Sequence, residues 1–157
     1  MIDTLKKAFS LLPPKMNTQA AAQVVLAICY QESHLRTRRQ IGGGPARGLA
    51  QFEKGNQASK GGVWGVMNHY IVGPIAKAVC EQLGVKSDVD SVYNELEFND
   101  VLAFALARLL LWTSPAPLPT TQQAAWDVYL KTWNPGKPRP ADWPQSWLAA
   151  RGLVDGQ

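Results

Sequence analysis

The chain is poor in the residues that build metal centres and covalent cross-links: among 157 residues there are two cysteines and two histidines. Cys29 sits on the apolar face of a helical stretch and Cys80 falls in another, so both are expected to be buried thiols acting as small hydrophobes, not bridge partners. His34 and His69 are isolated, and neither lies at ligand spacing from a cysteine or an acid. No metal and no cofactor are therefore expected. Long apolar runs are also missing. The longest, residues 101–112, is interrupted by Arg108 and falls short of the ~20 residues that a membrane crossing needs. Residues 1–14 carry their charges inside a short amphipathic segment and lack the apolar run and small-residue cleavage site of a secretory signal. Neither membrane insertion nor signal-directed export is expected. There is no internal repeat, and the proline-rich connectors are too short to separate domains, so residues 1–157 read as one domain.

What is present fits a compact, mainly helical protein. With 46% hydrophobic and 18% charged residues, the chain is long enough to bury a good core as a monomer. A net charge of +4 and a pI near 9.2 favour encounter with polyanions, nucleic acid among them. Helical patterning predicts elements over residues 4–12, with Asp3 as cap and Pro13-Pro14 as stop, and over 18–35. Residues 41–62 form a glycine-rich region with room for one short hairpin at most. A helix over 63–83 is expected to break at Gly73-Pro74 and end at Gly84, followed by a short element near 92–96. The segment 97–112 is apolar nearly all round, which predicts a central helix. Thr120 with Gln123 suggests a capping box for a helix over 121–133. A proline-rich loop, 134–144, and a last short helix, 145–151, complete the chain.

Glu32 stands out on this background. Ala21, Val25, Ile28 and Cys29 lie eleven, seven, four and three positions before it, so all share its helix face. The stripe is apolar and the glutamate continues it near the helix C-terminus. Burial disfavours the ionised carboxylate, and the negative end of the helix dipole adds to the effect. A glutamate that is hard to ionise is a proton donor near neutral pH. The plainer alternative is a carboxylate that bends to solvent or pairs with Arg36 one turn on.

After this helix the chain passes through Arg36, Arg38 and Arg39 into a stretch in which residues 42–48 hold four glycines and a proline. Such a stretch turns sharply, and it lets backbone approach a ligand closely. Glu32-Ser33 followed by Gly48-Leu49-Ala50-Gln51-Phe52 resembles the lysozyme-like superfamily that cuts peptidoglycan glycan strands, and within it the lytic transglycosylases. Their Gly-Leu-Met-Gln run has Ala50 in place of methionine here. Their downstream Ala-Tyr-Asn-Ala-Gly appears as Thr132-Trp133-Asn134-Pro135-Gly136, and an indole can donate a hydrogen bond but not accept one. The run from Tyr129 to Pro138 is also similar to the C-terminal part of small endolysins from phages of Gram-negative bacteria.

The resemblance spans about residues 18–145 and implies a lysozyme-like α+β fold, with activity on the β-1,4 bond between N-acetylmuramic acid and N-acetylglucosamine. It implies Glu32 as general acid. It further implies that Gln51, the backbone near Leu49, Phe52 and Ser33, the residue after Glu32, hold the substrate. Asn134 would lie against the catalytic helix, with Trp133 or Tyr129 orienting Glu32. Glu53 ends the glycine-rich run, where it is either the second carboxylate of a muramidase or a solvent-facing loop residue. Without Glu53 the chemistry would be that of a lytic transglycosylase, closing a 1,6-anhydro ring. Such an endolysin would be made in the host cytoplasm and reach the periplasmic wall by holin-type release or virion delivery. Two readings of other classes stand beside it: a wall-binding virion protein on an inactive scaffold, and a basic nucleic-acid-binding module. The first leaves the cost of Glu32 on an apolar stripe unexplained, and the second lacks a recognised motif. The partner expected is thus a peptidoglycan strand, not nucleic acid.

Overall fold

The computed structural model describes residues 1–156, which are mainly helical. The first helix, α1 (Ile2–Ser10), buries Leu5, Ala8 and Phe9, and a 3-10 turn at Pro14–Met16 follows the proline stop. Thr18 caps α2 (Gln19–Ser33) by accepting a hydrogen bond from the Ala21 amide at 3.1 Å. Two short helices, α3 (Gly62–Met67) and α5 (Val89–Glu95), flank α4 (Val72–Leu83) in sequence, and α6 (Asp100–Trp112) runs behind them. The chain closes with α7 (Gln122–Trp133), a 3-10 turn at Pro140–Asp142, and α8 (Trp143–Asp155).

The apolar helix α6 is the hub. Its residues 102–109 and Leu111 are all buried, and it packs against α1, α2, α3 and α4. Arg108, the charged interruption of that run, is 3% exposed. Its Nε donates to the Met16 carbonyl at 2.7 Å, and its guanidinium lies 5.3 Å from the Trp112 ring centroid. Burial pushes its pKa down to about 10, so it is still charged at neutral pH. Helix α8 packs along α2.

Several boundaries differ from the sequence expectation, each for a local reason. The break in 63–83 lies at residues 68–71, not at Gly73-Pro74. Pro74 sits in the first turn of α4, where its missing N–H costs no helical bond. His69 caps that turn, its Nδ1 accepting from the Ile71 and Val72 amides at 3.1 and 3.3 Å. Thr121 caps α7 in place of Thr120, and Gln123 bonds Asp127 at 3.1 Å, so no capping box forms. The last helix is longer than 145–151, starting at Trp143 with Pro144 in its first turn and continuing through Gly152. The glycine-rich region holds no full strand among the described residues, only antiparallel bridges between Arg39 and Arg47 and between Arg47 and Phe52.

Candidate active site

Glu32 occupies the last turn of α2 and lines a cleft of about 760 Å³ between that helix end, the glycine-rich segment and the loop after α7. The stripe that leads to it is fully buried: Ala21, Val25, Ile28 and Cys29 have no exposed surface. Glu32 itself is half-buried, at the point where the stripe meets the cleft. It makes no ion pair with Arg36 among the described residues. The Tyr129 hydroxyl donates to its Oε1 at 2.5 Å. Burial raises the Glu32 pKa, against smaller lowering effects from the Tyr129 hydrogen bond and the positive charge of Arg139. The same burial, together with the Glu32 charge, pushes Tyr129 well above the ordinary phenol value, so it stays a donor.

An aromatic wall fixes Tyr129. Its ring stacks on Trp143 with centroids 5.5 Å apart and planes 6° from parallel, and Trp126 lies 5.4 Å away. Trp143 is in turn anchored by donating from Nε1 to the Gln122 carbonyl at 2.9 Å. Trp133, one turn after Tyr129 on α7, does not bond Glu32. Its indole N–H donates to the Ala50 carbonyl at 3.0 Å, so Trp133 lines the cleft and grips the opposite segment. Of the two aromatics that the sequence offered as partners, Tyr129 takes the carboxyl and Trp133 takes the backbone across from it.

The segment Gly48–Phe52 is a tight turn held from both sides. Gly48 has φ +78°, and a Cβ there would lie 3.0 Å from the Leu96 carbonyl oxygen. Gln51 also adopts a left-handed conformation, φ +53°, and its amide side chain donates to the Gly48 carbonyl at 2.9 Å. Ser33, 5% exposed, lies 2.6 Å from the Leu49 carbonyl oxygen and 2.9 Å from that of Cys29. Leu49 is fully buried and does not line the cleft, whereas Ser33, Gln51 and Phe52 do. The Ser33 hydroxyl and the Leu49 carbonyl are thus spent on each other.

Glu53 lines the cleft with its side chain exposed, and its carboxylate takes no hydrogen bond from another described residue. Its backbone is better held: the Glu53 carbonyl accepts from the Val63 amide at 3.0 Å, and Lys54 accepts from Trp64 at 2.8 Å. Gly62, φ +62°, closes this loop so tightly that a Cβ would lie 2.3 Å from the Glu53 carbonyl oxygen. Asn134 lines the cleft as the left-handed residue, φ +47°, that ends α7, a place which asparagine tolerates well.

Three cleft residues escaped the sequence reading. Continued helical spacing would send His34, two residues after Glu32, to a different side, but α2 ends at Ser33, and His34 and Leu35 both take positive φ, 54° and 56°, and His34 lines the cleft. Arg139 and Lys137, on the proline-rich loop, also line it. Gln31, 2% exposed, ties that loop down: its Nε2 donates to the Arg139 carbonyl at 2.9 Å, and Arg139 Nη2 donates to the Gln31 carbonyl at 2.6 Å. The Ser146 hydroxyl of α8 completes the amide by donating to Gln31 Oε1 at 2.7 Å.

The arginine cluster is mostly engaged elsewhere. Arg38 forks onto Asp100 through Nε and Nη2 at 2.8 and 2.7 Å, and Arg39 bonds Glu97 at 2.8 Å. Arg47 donates to the Gly44 and Ala46 carbonyls and lies over the Tyr93 ring. Only Arg36 of the four lines the cleft. In comparisons with known proteins, no family model, no curated protein and no solved structure matches the chain.

Proposed function

We propose that the protein cleaves the β-1,4 bond between N-acetylmuramic acid and N-acetylglucosamine in peptidoglycan, with Glu32 as general acid, on a lysozyme-like scaffold. The observation that carries this reading is the Glu32 carboxyl: it ends a buried apolar stripe, opens on a cleft, and is held by Tyr129. Burial keeps it protonated to higher pH than an ordinary glutamate, which is what a donor to a glycosidic oxygen requires. Glu53, exposed and lining the same cleft, is available as the second carboxylate that a muramidase needs.

One observation favours the neighbouring chemistry. No side chain of another described residue holds the Glu53 carboxylate in place, whereas Glu32 has a fixed partner. Such an arrangement suits a lytic transglycosylase, in which a single glutamate acts and the substrate's own hydroxyl closes the 1,6-anhydro ring. Mass spectrometry of fragments released from purified peptidoglycan tests both. Products ending in reducing N-acetylmuramic acid, with Glu53→Ala inactive, support the muramidase. Products lighter by one water, with Glu53→Ala active, assign the transglycosylase. Absence of any released fragment from folded protein rejects glycan cleavage.

A further inference from the structure

We propose that Arg139 and Lys137 form an anion subsite beside Glu32 that takes a carboxylate carried by the glycan strand, so that the cleft selects acidic strands over neutral ones of the same linkage. This rests on the glycan-cleaving reading above and names what that reading leaves open, the feature by which the substrate is chosen. Among the described residues, three cations line the cleft, Arg36, Lys137 and Arg139, against two acidic residues, Glu32 and Glu53, and burial makes Glu32 harder to ionise than an ordinary glutamate. The cleft is therefore electropositive in the state in which Glu32 can donate. A low-dielectric wall focuses that potential onto a bound anion.

Arg139 is a built feature of the fold. Its carbonyl and its Nη2 both bond Gln31, and the Gln31 amide is completed by Ser146 inside the protein. That exchange of bonds sets the guanidinium next to the residue preceding Glu32. Asp142 approaches Arg139 Nε at 3.6 Å, but both side chains are more than half exposed, a geometry that screens the pair. A guanidinium has five N–H donors in a rigid fork that matches a carboxylate, and the Gln31 carbonyl occupies one of them. Lys137, two residues before it, lines the same cleft and has no acidic partner among the described residues. Where no stem peptide is amide-linked to it, the muramic lactyl group presents such a carboxylate on alternate sugars of the strand. A neutral N-acetylglucosamine polymer has none.

Binding can be separated from turnover by using Glu32→Gln as the parent. Calorimetry would compare two soluble oligomers of equal length, a β-1,4 N-acetylglucosamine chain and an alternating N-acetylglucosamine–N-acetylmuramic acid chain. The parent should bind the acidic oligomer at least about tenfold more tightly, the size of a charge-assisted hydrogen bond. Adding Arg139→Gln should remove most of that advantage while leaving the neutral oligomer within about twofold, and Arg139→Lys should recover part of it. Lys137→Gln, at an exposed and unpartnered position, should cost about threefold on the acidic oligomer alone, and it carries the test if Arg139→Gln fails to fold. Equal binding of the two oligomers by the parent, or an advantage untouched by either substitution, overturns the subsite and leaves glycan cleavage standing. A folded parent that binds neither oligomer overturns both.

Discussion

The Ser33 hydroxyl and the Leu49 carbonyl meet at 2.6 Å, joining the end of α2 to the middle of the Gly48–Phe52 turn. The Trp133 indole grips the next carbonyl of that turn, Ala50, from α7. Two residues on different helices thus hold one five-residue segment against the cleft, and both carbonyls belong to residues with no exposed surface. Removing either donor leaves a buried acceptor without a partner, at about 1–3 kcal/mol. Ser33→Ala and Trp133→Phe should each lower stability by that amount in urea unfolding. Because the two act on one turn, the double variant should depart from additivity by more than about 0.5 kcal/mol. Strict additivity would show that the turn does not move as a unit.

Glu32→Gln tests the proton donor against a structural role. The amide keeps an oxygen for the Tyr129 hydroxyl and deletes a charge from the end of an apolar stripe. Activity on purified wall should fall by about 10²–10⁴, while the melting temperature stays level or rises. A parallel loss of both would mean that the carboxyl serves the fold.

The pH dependence has a definite sign. Folding raises the Glu32 pKa, so the native state holds the proton more tightly than the unfolded chain. Stability is therefore given up as pH climbs from the ordinary glutamate range to the raised native value, and it is level again above that. The stabilisation of Glu32→Gln over the natural protein should grow across the same window. Activity, needing the protonated acid, should fade on the alkaline side at the raised value. Tyr129→Phe removes a bond that lowers the pKa, so the alkaline limb should move to still higher pH, while turnover drops by up to about a hundredfold as the carboxyl loses its orientation. A limb that stays put or moves down on a soluble oligosaccharide would exclude the Tyr129–Glu32 bond as the controlling contact.

Gly62→Ala and Gly43→Ala form a matched pair. Both glycines have positive φ, but a Cβ at Gly62 meets the Glu53 carbonyl oxygen at 2.3 Å, whereas one at Gly43 meets nothing within 4 Å. Gly43→Ala should cost only the conformational term, about 1 kcal/mol. Gly62→Ala should cost clearly more, lower the melting temperature by at least about 3 °C, and change the Glu53-dependent part of the activity. Equal losses at the two positions would mean that the loop behind Glu53 gives way freely.

How much was legible in the chain follows from the range of each interaction. The stripe from Ala21 to Cys29 and the apolar hub around Leu106 are written in local spacing, and both are found where that spacing puts them, whereas Asp3, expected as the cap of α1, lies in its first turn instead. The Tyr129–Glu32 contact was accessible as one of two options, because Tyr129 and Trp133 are a helical turn apart, but sequence could not say which of them reaches the acid. His34 was misplaced because helical spacing was carried past Ser33, where two successive left-handed residues turn the chain. Gln31, Arg139 and Ser146 left no trace at all. They are isolated polar residues 108 and 115 positions apart in their pairings, and no periodic pattern records a bond of that length.

The tie between Gln31 and Ser146 also bears on when the protein acquires its cleft during synthesis. Glu32 is made before Tyr129, Arg139 and the α8 surface that packs on α2. A nascent chain that has not reached α8 carries Glu32 on a helix whose packing partner is still missing. Non-local contacts of this kind form only after the intervening chain has been ordered. The cleft around Glu32 is therefore finished only once α8 has been made, a consequence of the placement of one glutamine and one serine.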